Sequence, residues 1–331
     1  MQDLWTFYHS EIPAFLRPYL DTPPLARLRE VGMNCGCEYT DFPLYRRTKP
    51  YSRFDHSVGA ALITWHFTQS PRQTVSALLH DIATPVFAHV VDFLNGDHLN
   101  QESTEAGTED LLRRCPALLA LLERDGVAVE DAADYHRFPL ADNPSPRLSA
   151  DRLEYTLGNL WHYGFLPLDR LAVFYDDLTV GAGETGEAEL AFRTWEPAEA
   201  FTRASLETSR VYVADEDRFA MQVLADLLKD ALDRRVLVRK DLYTTEPVVI
   251  ERLRADPRSA AQWHRFRHLS RLQVSREKPE EPDWRSVPAK KRYIDPLVLG
   301  EGRVSSLSPE VRAMQEAFLA LDFSVWLRAE E

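Results

Sequence analysis

The pair His80-Asp81 ends an apolar helical run in "SALLHDIATPVFAHVVDF" (76–93), where a carboxylate without a partner would be costly to bury. Two other segments carry groups that match it. In "SRFDHSVGAALI", His56 shares a helical face with Gly59, Ala60, Ile63 and Phe67; the small residues admit a second helix, so His56 points inward. In "SADRLEYTLGNLW", Asp151 falls in the first turn of a helix capped by Ser149. Two imidazoles and two carboxylates make a mixed nitrogen and oxygen donor set. Such a set suits one divalent ion of borderline character: manganese, iron, nickel, zinc or magnesium. Four protein ligands leave room in an octahedral shell for water or a substrate oxygen.

The elements that must position these groups are helical. Ser70 suits an N-cap, Pro71 the first helical position, and Gln73 completes a capping box. Val75, Leu78, Leu79 and Ile82 then recur at i, i+3, i+4 and i+7 as one buried stripe. Pro85 ends that helix, and Phe87, Val90, Val91 and Leu94 begin another. Glycines 181, 183 and 186 in "DLTVGAGETGEAELAFRTW" (177–195) predict a small β-hairpin. A helix is expected over 217–235, a short strand over "PVVI" (247–250), and a loop over 278–288. The basic stretch from Arg265 to Lys278 reads as a solvated helix face, and "PAKKRYIDP" (288–296) reads either as solvated or as facing an anion. Ser308 and Pro309 open a last helix. The expectation is a mainly α fold: a helical core over 1–178, then a hairpin and C-terminal helical extension (179–331) packed on it as one continuous domain.

Composition narrows the classes. The chain has 331 residues, 44% hydrophobic and 27% charged, as ordinary globular proteins do. Its net charge of −13 argues against broad attraction to nucleic acid or anionic membrane, although a local basic pocket can still take an anion. Cys35, Cys37 and Cys115 are too few for a disulfide framework, and the C-x-C spacing is not that of a zinc knuckle; reduced thiols are expected. No basic segment leads into an apolar run and no stretch approaches 18 apolar residues, so the expected location is cytoplasmic.

The order His56, His80-Asp81, Asp151 is similar to the H…HD…D pattern of the HD-domain metal-dependent phosphohydrolases. Within them it resembles the deoxynucleoside triphosphate triphosphohydrolase branch. "LDTPPLARLREVG" (20–32) resembles that branch's opening helix, and "SRFDHSVG" its R-F-E/D-H-S-L-G segment. "HDIATPVFAH" resembles its H-D-x-G-H-x-P-F-x-H segment, and "ADRLEYTLGN" its D-K/R-x-D-Y-x-x-R-D segment. The likeness runs from about residue 20 to 160. It implies an HD-type helical bundle with His56, His80, Asp81 and Asp151 as metal ligands. It further implies catalytic work by His89, Asp81 and Glu102, and substrate contacts from Arg53, Arg152, Tyr155 and Asn159. The implied partner is a small phosphorylated substrate, a nucleotide, and members often form homo-oligomers. Departures limit the inference. Ala83-Thr84 replaces the branch's Gly-His, Gln101-Glu102 its His-Glu, and Gly158-Asn159 its Arg-Asp, while Met33 stands at the base-sensing glutamine. Phosphate-ester hydrolysis is compatible with these changes; deoxynucleoside triphosphate specificity does not follow from them.

The expected chemistry is attack on phosphorus by water activated at the ion, with basic side chains stabilising the developing charge. His89 is preferred over Glu102 for proton transfer because an unperturbed imidazole titrates near neutrality. Two alternatives stand beside this reading. His98 and His136 lie where a second metal's ligands sit in dinuclear HD oxygenases and phosphodiesterases, although both fall in loop-like segments. The replaced imidazoles at 84 and 101 also fit a catalytically weakened nucleotide sensor or scaffold.

Overall fold

The computed structural model describes residues 2–95 and 107–330. The architecture is mainly α-helical with small sheets. The helix carrying His56 is Arg53–Thr68. The Ser52 hydroxyl accepts from the Asp55 amide at 3.2 Å, while the Ser52 amide donates to the Asp55 carboxylate at 3.0 Å. This box satisfies amides that a helix start otherwise leaves without partners. Pro71–Leu79 follows, with Ser70 accepting from the Gln73 amide and His80 at the C-cap. Val90–Asn95 begins after Pro85, and Ala150–His162 opens with Ser149 accepting from the Arg152 amide.

Arg53–Thr68 packs against both Pro71–Leu79 and Ala150–His162, and this packing brings the three site segments together. Two glycines make the approach possible. A Cβ on Gly59 would lie 2.5 Å from Glu154 Oε1, and one on Gly158 would lie 2.3 Å from the Tyr51 hydroxyl. Any larger residue at either place would force the facing side chain to move.

The expected hairpin is present: Leu178–Ala182 pairs antiparallel with Ala188–Phe192, and Gly186 takes φ +81° in the turn. Leu297–Val298 adds to Ala188–Phe192 in parallel and pairs antiparallel with Gly302–Arg303. Asp215–Asp233 packs on Val90–Asn95, and one buried apolar cluster contains side chains from Leu4 through Leu327. Pro309–Leu319 is capped by Ser308, as its sequence predicts.

Two local readings are corrected. "PVVI" lies inside the helix Glu246–Ala255 rather than in a strand. Pro247 occupies the first turn, and Val249, Ile250 and Leu253 bury one helical face, so packing overrides β-branched preference. The basic stretch 265–278 is only partly helical. The helix Pro257–Arg267 stops early in it, and Leu272–Ser275 is a strand paired with Trp326–Ala329, a partner so far along the chain that local pattern does not reveal it. Cys35 and Cys37 are buried free thiols. No helix among the described residues is long and apolar enough to cross a membrane.

Candidate metal centre

His56 and His80 bring their Nε2 atoms to 3.2 Å of each other. Asp151 Oδ1 stands 3.0 Å from the first and 3.5 Å from the second. Each ring is oriented from behind. The Nδ1–H of His56 donates to Glu154 Oε2 at 2.6 Å, and the Nδ1–H of His80 donates to the Ala77 carbonyl at 2.7 Å. With Nδ1 of each ring donating, the neutral form of either ring turns a lone pair on Nε2 toward the other and toward a carboxylate. Three lone-pair donors converging in this way repel one another unless a cation lies among them. Metal bonds of about 2.0–2.2 Å at tetrahedral or octahedral angles hold donors about 3.0–3.5 Å apart, so the spacing fits one ion. Burial disfavours a charged His56 ring, yet hydrogen bonds with Asp151 and Glu154 push it up to about 10. The surroundings therefore favour positive charge at this point.

Asp81 lies beside this trio, its Oδ2 3.7 Å from His80 Nε2. That same oxygen accepts from Arg53 Nη1 at 3.0 Å, and Oδ1 accepts from the Thr84 hydroxyl at 2.7 Å. Burial would raise the Asp81 pKa, but Arg53, then His80 and His56, hold it well below the usual carboxylate range. Among the described residues, the group close enough to share an ion is His56, His80 and Asp151. Thr84, which stands at the branch's imidazole position, thus orients Asp81. Arg27 clamps the turn that follows: Nη2 donates to the Ile82 carbonyl at 2.9 Å and to the Thr84 carbonyl.

His89 is reached through two consecutive left-handed residues, Phe87 at φ +58° and Ala88 at φ +42°. Side chains other than glycine hold this conformation only when the surroundings enforce it. Here the Phe87 ring and the Ala88 methyl are fully buried. His89 Nδ1–H donates to Asp92 Oδ2 at 2.9 Å. Burial pulls the ring down to about 4, with Arg292 and Arg53 adding to the effect against the Asp92 hydrogen bond.

A cavity of about 380 Å³ opens onto His56, His80, Asp81, His89 and Asp151. That size accommodates a small ligand. Arg53, Arg152, Tyr155 and Asn159 line it. Arg152 is also tied to its own neighbourhood, donating to Asn143 Oδ1 at 2.7 Å and pairing with Asp142 at 3.0 Å. Asn159 donates to the Tyr212 hydroxyl at 2.8 Å, and its buried Oδ1 has no partner among the described residues. Glu102, Gln101 and His98 lie outside the described residues. His136 is on the cavity wall, with Nδ1 bonded to Asp142 at 2.8 Å; the Tyr135 ring is 4.4 Å from its ring and 4.8 Å from that of His80.

Comparison with known proteins adds two sequence relatives and one structural neighbour, and no family model matches. The chain is 25% identical over 315 residues to the uncharacterized protein YdhJ of Bacillus subtilis, covering 92% of this chain and 91% of that one. It is 29% identical over 126 residues to the metal-dependent phosphohydrolase cns2 of Cordyceps militaris, a match that spans 37% of this chain and 35% of the relative. The crystal structure of a hypothetical protein from Aquifex aeolicus superposes with a TM-score of 0.64 at 18% identity, covering 96% of this chain and 93% of the other. This last likeness speaks for the fold alone.

Several working residues escape sequence reading. Glu154 carries a signal, an acid three residues after Asp151 on the same helix, and so does Asp92, three after His89. Arg27 and Asp217 carry none, and the cations of 288–292 carry an ambiguous one. Asp217 reaches the cavity from the helix Asp215–Asp233 and accepts from the Tyr45 hydroxyl at 2.6 Å; burial pushes its carboxyl up to about 7, against the pull of Tyr45 and Arg292.

Proposed function

We propose that the protein is a metal-dependent phosphohydrolase of the HD type, acting on a nucleotide or a related small phosphate ester. The observation that carries this reading is the convergence of the His56 and His80 Nε2 atoms on Asp151, each ring locked from behind, in the wall of a basic cavity. The name of the Cordyceps relative supports it over the 126 residues that the two chains share. The aromatic lining from Tyr155, Tyr163 and Tyr212 supports a flat, ring-bearing ligand.

A divalent ion in this donor set supplies Lewis acidity toward a phosphoryl oxygen and toward water. The chain's own residues do the rest. Glu154 and the Ala77 carbonyl hold the two rings in the tautomer that presents Nε2. Arg53 and Thr84 fix Asp81 in its ionised form next to them. Asp92 holds the proton on His89 Nδ1, so the neutral ring offers Nε2 to the cavity as an acceptor. That state suits His89 to take a proton from the attacking water. Donation to the leaving group requires substrate charge to raise the ring's pKa first.

The test is metal analysis of the purified protein, then phosphate release from a panel of nucleoside mono-, di- and triphosphates and sugar phosphates. Wild type is expected to retain about one ion per chain, and His80→Ala and Asp151→Ala to lose both ion and turnover. Neither retained metal nor release from any panel member would end the reading. Two ions per chain would point to the dinuclear alternative, and tight nucleotide binding without turnover to the sensor.

A further inference from the structure

Pro288, Ala289, Lys290, Lys291 and Arg292 all line the same cavity as the metal-site residues. They belong to a segment with no regular secondary structure, held instead by contacts at both ends. At its start, Arg218 donates to the Val287 carbonyl, and the Val287 side chain is buried. At its end, Ile294 is buried, Gln315 donates to the Ile294 carbonyl at 3.2 Å, and the Asp295 amide donates to the Pro146 carbonyl at 2.9 Å. Between the anchors, Lys291 donates to the Leu319 carbonyl and lies 5.3 Å from the Phe323 ring centre. This is a strap of fixed path that brings three consecutive cations to one cavity of a chain whose net charge is −13. Low-dielectric walls keep such a local field from being averaged away.

The strap's charge reaches into the site. Arg292 acts electrostatically on His89, Tyr155, Tyr212 and Asp217, groups from three separate parts of the chain. Nearer the metal donors, Arg53 holds Asp81, and Arg152 holds Asp142 and Asn143.

We propose that residues 288–292 form a basic strap that recognises a second anionic group on the substrate, with Lys290 and Arg292 as the contacting side chains and the first, scissile phosphoryl group held at the metal donors. This rests on the reading of the cavity as a phosphoester site. It adds a requirement that the reading lacks: good substrates carry at least two negatively charged groups within one small molecule. The forked guanidinium of Arg292 suits a phosphate or carboxylate in two-point contact.

Hydrolysis-resistant probes separate the strap from turnover. Isothermal titration of the full-length protein with its metal in place and in excess would use methylphosphonate, methylenediphosphonate and inorganic tripolyphosphate. Wild type is expected to bind the two polyanions at least ten-fold tighter than methylphosphonate. Lys290→Gln with Arg292→Gln is expected to remove that preference and to leave methylphosphonate binding within about two-fold. Arg239→Gln with Lys240→Gln removes the same charge at exposed positions outside the cavity and is expected to keep the preference. Equal losses in the two double variants, or no preference in wild type, would overturn the strap. Hydrogen exchange on wild type gives a check free of substitutions: tripolyphosphate should protect amides of 287–295 and methylphosphonate should not. Binding without that protection would also overturn it. Phosphoester turnover unaffected by the strap substitutions would reject the strap and leave the proposed function standing, whereas polyanion binding that needs the strap, in a protein with no turnover, would do the reverse.

Discussion

Glu154 and His56 lie on different helices, and the His56 Nδ1–H meets the Glu154 carboxylate at 2.6 Å. The same carboxylate accepts from the Tyr51 hydroxyl and, at 3.4 Å, from Tyr8. A ring whose far nitrogen is held this way has its metal-facing nitrogen aimed and is a more basic ligand. Glu154→Gln is therefore expected to weaken metal binding about 10–100-fold, the usual effect of losing such a partner. Competition against a chromogenic chelator would measure it; unchanged affinity would mean that Glu154 serves packing only.

Gly59 carries the same relationship from the other side, because a Cβ there would lie 2.5 Å from Glu154 Oε1. Gly59→Ala is expected to cost about 1–3 kcal/mol through overpacking. Its second effect should be weaker metal binding, since the displaced carboxylate can no longer reach His56. Thermal melts paired with the chelator titration would show both effects, and a loss of stability with metal affinity intact would separate Gly59 from the site.

Metal removal should itself lower stability. An ion held by His56, His80 and Asp151 binds the native state and not the unfolded one, which at a hundred-fold excess over its dissociation constant is worth about 2.7 kcal/mol. Chelator is expected to reduce the melting temperature of wild type and to leave that of His80→Ala unchanged. Equal responses in the two proteins would argue for ion binding elsewhere.

Asp217 predicts a pH dependence. Burial pushes its carboxyl up to about 7 from an ordinary value of 3.8, offset in part by Tyr45 and Arg292. Below the ordinary value both folded and unfolded chains hold the proton, and the group contributes nothing. As pH rises from there toward 7, the unfolded chain ionises first, so this group progressively destabilises the fold. Asp217→Asn keeps an acceptor for Tyr45 and cannot ionise. Relative to wild type, it should gain stability between about pH 4 and 7 and level off above, as denaturant titrations at several pH values would show. A constant difference across that range would refute the shift.

Local pattern made much of the framework legible. The caps Ser70, Ser149 and Ser308, the stripe from Val75 to Ile82 and the glycines at 181–186 all specify elements through contacts within a few residues, and those elements form where expected. The small residues Gly59 and Ala60 likewise foretold an inward His56 at a helix contact. The same local logic misread 247–250, because β-branched preference is weaker than the burial of a helical face.

What determines the chemistry is not local. That Glu154 stands behind His56, that Arg53 holds Asp81, and that Arg27 clamps the turn after it depend on segments meeting across 28 to 98 residues of chain. The strap is the strongest case. "KKR" in sequence is compatible with any solvated loop. Only the anchors at Val287, Ile294 and Asp295, made by residues from three other parts of the chain, bring it to the cavity that His56, His80 and Asp151 share. Sequence alone specified which donors the chain has and which short elements carry them. Tertiary packing decided which donors face one another, because side-chain convergence is set by how buried surfaces fit.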